Sequence, residues 1–189
     1  MRRSLGVFLV LLMSTAAVFG GGEGESNESD SGAVASTIDT MDGYSSSSAA
    51  GVNVQWKVDG DMISVQVSAA TTGWIAVGFD PSRQMADANI IIGYVADGEV
   101  FLRDDFGIGN MRHGADVDNG GTDDLSDVAG TEADGATTIS FTVPLDSGDA
   151  LDKPLVPGFS YKFIVAHGPD GADDYGTYHG SRGSFEIDL

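Results

Sequence analysis

The chain contains no cysteine. Disulfides, thiolate metal sites, cysteine nucleophiles and lipidation at an N-terminal cysteine are all excluded, so stability must come from burial, a ligand or both. Base is nearly as scarce. Nine Lys and Arg stand against 29 Asp and Glu in 189 residues, a formal charge of −20, and Lys57, Lys153 and Lys162 are the only lysines. Such a surface repels nucleic acid and anionic lipid, so neither is expected as a partner. The acid is spread through the loops, which reads as a solvated surface suited to a high-salt habitat. Calcium binding is the competing reading of so much acid. A sustained helical period is missing throughout, and the longest apolar run, in the first twenty residues, is short for a membrane span.

What is present falls into three parts. Residues 1–20 carry Arg2-Arg3, the hydrophobic run Leu5 to Leu12 and the small residues Ser14 to Gly20. That order is an export signal, with an uncleaved N-terminal anchor as the alternative. Export to a periplasmic or extracellular location follows, with membrane contact only if the segment is retained. Residues 21–50 are rich in Gly, Ser, Glu, Asp and Thr, a composition that reads as a flexible acidic tether. Residues 51–189 form the folded domain.

Within that domain apolar residues alternate with period two. Strands are expected at Val52–Val58, Met62–Ala69, Trp74–Phe79, Asn89–Ala96, Glu99–Asp105, Thr137–Val143, Tyr161–Ala166 and Ser184–Leu189. Gly60-Asp61 supplies a turn, and Asp97-Gly98 is a two-residue hairpin signal. Short strands between Gly/Asp turns predict an all-β fold, an antiparallel immunoglobulin-like β-sandwich. Gly107 to Gly135, acidic and Gly-rich, reads as one long irregular loop, either functional or mobile.

One loop residue stands out. Asp80 to Asn89 reads as a polar loop that carries one thioether, Met85, before Ile90-Ile91-Ile92. A lone loop methionine is more often a gap-filler than a ligand. The close of the chain holds Ile164-Val165-Ala166-His167-Gly168 and then His179-Gly180-Ser181-Arg182-Gly183. His179 alone reads as a surface histidine in a Gly-rich turn, and Arg182 as a partner for a surface carboxylate.

Four features together resemble the DOMON family. They are the hairpin Trp56–Val67 leading into Gly73-Trp74-Ile75-Ala76-Val77-Gly78-Phe79, then Met85 before Asp87-Ala88-Asn89-Ile90, the strand Gly98–Asp105, and the His-Gly-Ser-Arg-Gly close. The resemblance spans Val52 to Leu189 and extends to the haem b-binding cytochrome domain of cellobiose dehydrogenase. It implies haem b held between Met85 and His179 as axial ligands, with Arg182 toward a propionate and Trp74 near the ring. A chain without cysteine cannot attach haem covalently in the c-type manner. A Met/His pair fills both axial positions, which suits electron transfer to or from a redox partner protein. His167 is the alternative axial ligand, a few relatives use a lysine in place of the histidine so that Lys162 is weighed beside it, and His113 is the least favoured nitrogen.

Two other readings remain open. A haem-free module of this fold would bind a sugar or other small ligand, with Trp56 or Trp74 as the platform. Asp116, Asp118, Gly120, Thr122 and Asp124 alternate like a calcium loop, without the terminal Glu or flanking helices of the full pattern. No Gly-x-Ser-x-Gly elbow or singled-out carboxylate pair is present, so no catalytic centre is expected.

Overall fold

The computed structural model describes residues 40–189, so the expected export signal and most of the expected tether lie outside the described residues. Eleven strands and one short helix follow in the order β1 (Ser45–Ala49), β2 (Val52–Asp59), β3 (Met62–Ala69), β4 (Ile75–Phe79), β5 (Asn89–Ala96), β6 (Glu99–Gly109), β7 (Arg112–Ala115), α1 (Asp116–Asn119), β8 (Ser126–Ala133), β9 (Ala136–Pro144), β10 (Ser160–His167) and β11 (Ser181–Asp188). They build a five-stranded sheet, β1-β2-β3-β9-β8, and a six-stranded sheet, β11-β10-β4-β5-β6-β7. Every pairing is antiparallel. The expected β-sandwich is what the chain forms.

Alternation selects the core. Val52, Val54 and Trp56 of β2, Ile63, Val65 and Val67 of β3, and Ile139, Phe141 and Val143 of β9 meet Ile75, Val77, Phe79, Ile91, Phe163 and Val165 from the other sheet. Phe163 stands at the centre, with Phe79 edge-on at 4.8 Å and Trp56 at 6.1 Å. Trp56, only 7 % exposed, is therefore a core residue and cannot serve as a sugar platform.

The domain begins earlier than residue 51, because Ser45–Ala49 pairs along β2 as an edge strand. The expected long loop is likewise structured: β7 and α1 close one edge, and β8 pairs with β9 through an Asp134-Gly135 turn with both φ angles positive. Asp97-Gly98 makes the hairpin its sequence announces, with φ of 52° and 78°.

Candidate functional site

The centre of the six-stranded sheet is apolar on both faces. Its inner face packs into the sandwich. On the outer face the register sets Gly78 between Ile90 and Ile164, and Ala76 between Ile92 and Ala166. All five residues of β4 are buried. A solvated antiparallel sheet would show polar residues there, so an apolar outer face is a surface built to be covered. A cavity of about 440 Å³ lies over it, within the range of small-molecule pockets of roughly 300–1,000 Å³. Gly78 lets the floor close, since a Cβ there would fall 2.8 Å from Ile164 Cγ1.

The first wall is the loop between β4 and β5, which carries Met85 into the cavity lining. Three of its non-glycine residues, Asp80, Gln84 and Asp87, have φ between 46° and 59°. Such conformations cost of order 1–3 kcal/mol each and persist where the surroundings enforce them. Here the enforcement is visible. Ser82 N–H donates to Ala86 O, Ala86 N–H to Arg83 O, and Ala88 N–H to Met85 O. Asp87 N–H donates to Gly107 O and Gly107 N–H to Ala88 O, both at 2.9 Å, tying the loop to β6. Gly107 is required, because a Cβ at that position would overlap the carbonyl oxygen of Met85.

The opposite wall is the loop between β10 and β11, which brings His179 and the exposed ring of Tyr178, 4.1 Å from the imidazole. Trp74 holds this loop. Its backbone bonds to Ala172 and Gly168, and its indole N–H donates to Thr177 O at 3.1 Å. Gly168 packs against the indole, where a Cβ would lie 2.6 Å from Nε1. Asp174 accepts from the Thr177 hydroxyl and from the Thr177 and Gly176 amides, and these bonds hold its carboxyl below the ordinary range. Gly180 N–H donates to His167 O, so the turn is pinned on both sides of His179.

Met85, His179, Arg182 and Trp74 thus line one cavity. Arg182 makes no ion pair among the described residues, and Lys162 also reaches the cavity from β10. His167 does not. Alternation puts it on the face of β10 shared by Phe163 and Val165, and its Nδ1 lies 2.8 Å from Gly168 O. Trp74 is 5 % exposed and engaged with the loop, so it too offers no open platform for a sugar ring.

Two further residues line the cavity, Met111, which the sequence did not single out, and His113, the least favoured nitrogen. Met111, on the turn between β6 and β7, is 80 % exposed at the rim. His113 stands inside, with Nδ1 2.5 Å from Asp105 Oδ2. Arg103 bonds the same carboxylate through Nε and Nη2 and lies 4.1 Å over the Tyr175 ring. Burial alone would push Asp105 up, but the bonds from His113 and Arg103 more than offset it and hold the carboxyl low. The visible signal was a strand ending in Arg103-Asp104-Asp105, whose alternation sends Asp105 to the cavity face and Asp104 inward.

Comparison with known proteins places this geometry. The profile of the DOMON domain matches residues 48–168. The human DBH-like monooxygenase protein 1 is 29 % identical over 135 residues, 71 % of this chain. The chain spans only 21 % of that relative's length. Among solved structures, the cytochrome b domain of pyranose dehydrogenase from Coprinopsis cinerea superposes with a TM-score of 0.54 at 13 % identity, covering 77 % of this chain and 81 % of that one. The cytochrome domain of Myriococcum thermophilum cellobiose dehydrogenase gives 0.51 at 10 % identity, covering 73 % and 74 %. At such identities the likeness is one of fold.

Proposed function

The chain belongs to the DOMON domain family, and on that premise we propose that it is an exported b-type cytochrome domain that passes single electrons to or from a partner protein. The observation that carries this reading is the convergence of Met85 and His179 on one apolar cavity from loops far apart in sequence. Neither residue is needed to fill the core, and each sits on a loop secured by several backbone bonds.

The donor set fits haem b. A thioether and an imidazole suit iron, an apolar floor of Ala76, Ile90, Ile92, Ile164 and Ala166 suits a porphyrin, and Arg182 at the rim suits a propionate. Met85 and His179 would hold the haem, which would supply a one-electron couple. The protein's own residues do the rest. Gly107 lets the Met85 loop approach, and Trp74 fixes the His179 loop. The reading assigns no catalytic centre to this chain; the oxidising or reducing chemistry would belong to its redox partner.

The test is the visible spectrum of protein purified after haem supplementation, oxidised and then reduced with dithionite. The expected result is a Soret band that sharpens on reduction with resolved α and β bands. Met85→Ala and His179→Ala should each convert the spectrum to a five-coordinate form or abolish uptake, while His167→Ala should leave it unchanged. A colourless protein that takes up no added haem would overturn the reading and favour a haem-free binding module.

A further inference from the structure

On the inner side of β6, away from the cavity, five carboxylates gather at one end of the sandwich. Asp104 comes from β6, where its partner is the core residue Ile91. Asp116 opens α1, Asp124 lies in the segment before β8, and Asp149 and Asp152 belong to the connection between β9 and β10. They form two triads, Asp104–Asp124–Asp152 and Asp116–Asp149–Asp152, and within each triad the facing oxygens lie within 4.8 Å of one another. No lysine, arginine or histidine makes a salt bridge with any of them among the described residues.

Like charges so close are costly unless something compensates. Asp116 is fully buried, and both its oxygens lack a hydrogen-bond partner. Asp104, 2 % exposed, accepts from Asp124 N–H through Oδ2 and leaves Oδ1 unpartnered. Asp152, 8 % exposed, leaves Oδ1 unpartnered as well. Backbone amides instead shape the periphery: Thr122, Leu151 and Asp152 all donate to Asp149. Gly121 keeps the approach open, since a Cβ there would stand 2.9 Å from Asp149 Oδ2 and 3.2 Å from Asp116 Oδ2. Buried, unpartnered oxygens on Asp104, Asp116 and Asp152, with oxygens of all three triad members within 4.8 Å of one another, suit a hard divalent cation.

We propose that these five aspartates form a calcium centre, with Asp152 shared between the two triads. The oxygen-only donor set, contributed by a strand and two long connections, suits the flexible, high-coordination geometry of calcium better than the strict octahedron of magnesium. The centre would tie the α1 segment and the connection between β9 and β10 to the sandwich, where a chain without disulfides has no covalent staple. Burial and mutual repulsion raise Asp104, Asp116 and Asp152 above the ordinary aspartate range, in keeping with groups that share a compensating charge or a proton. Only Asp116 and Asp124 of the calcium-like spacing in the sequence take part; Asp118 is exposed and outside both triads.

The experiment is calorimetric and thermal titration of chelator-treated full-length protein with calcium chloride, and separately with magnesium chloride at equal ionic strength. Calcium should bind saturably and raise Tm by on the order of 10 °C at a hundredfold excess over its Kd, with magnesium weaker by at least about tenfold in affinity. Asp116→Asn and Asp152→Asn should each abolish the response. Because each removes one buried like charge, the metal-free variants should melt no lower than the metal-free parent, which separates lost binding from misfolding. Absence of saturable heat and of any Tm rise in the parent overturns the proposal. So does a calcium response that survives both substitutions, or one matched by magnesium, since either is the behaviour of a generally acidic surface. None of these readouts depends on haem.

Discussion

The indole of Trp74 stands between the sheet and the loop that carries His179, and its N–H donates to Thr177 O. Removing that one donor while keeping an aromatic ring isolates the bond from the packing. Trp74→Phe is expected to lower stability by about 1–2 kcal/mol and to weaken haem retention without abolishing it, measured by chemical denaturation and by the rate of haem transfer to an apo-globin acceptor. Wild-type retention in this variant would mean that Trp74 supports the fold but not the placement of His179. At this scale residue type in the sequence goes only so far. Trp56 and Trp74 look alike as flanking aromatics, yet one fills the inter-sheet core and the other ties down a loop. The difference lies in sheet face, which alternation shows for Trp56 inside a strand but not for Trp74 at a strand's start. The role of His113 was hidden for a related reason, because its partner Asp105 becomes visible only when β6 and β7 pair.

Among the elements, those with a buried face were legible, and those without one were not. The eight expected strands all form, six within two residues of their expected limits, because each alternates between core and surface. The three missed ones are edges: Ser45–Ala49 has no large apolar residue, Arg112–Ala115 is four residues long with none either, and Ser126–Ala133 is exposed along nearly its whole length. Their pairing rests on backbone bonds and turn chemistry, and Asp134-Gly135 was the one local sign of it. The loop bearing Met85 shows the same dependence on a neighbour, since its position rests on Gly107 two strands away. Gly107→Ala should therefore push the loop outward, costing about 1–3 kcal/mol of stability by overpacking. In haem-loaded protein it should also reproduce part of the spectral change of Met85→Ala. Unaltered stability and spectrum would show that the loop tolerates displacement and that the close backbone approach is incidental.

For the molecule as a whole, two kinds of repulsion act at once, and they respond differently to solvent. The chain carries a net charge of −20, and repulsion among its exposed carboxylates is screened once salt shortens the Debye length to about 3 Å at 1 M. The repulsion inside the aspartate cluster is buried and is screened far less. In the folded state Asp104 is pushed up to about 8, Asp116 to about 7 and Asp152 to about 6, by burial first and by neighbouring carboxylates after it, against an ordinary value of 3.8. Between pH 4 and 8 the folded state therefore holds more protons than the unfolded one, and stability falls as pH rises. Below pH 4 both states are protonated and the penalty disappears. Metal-free protein in 1 M sodium chloride is accordingly expected to melt progressively lower from pH 5 to pH 8, and saturating calcium should flatten that decline by replacing the protons with an ion. A Tm that rises over this interval in metal-free protein would mean that the cluster ionises freely and that its burial carries no cost.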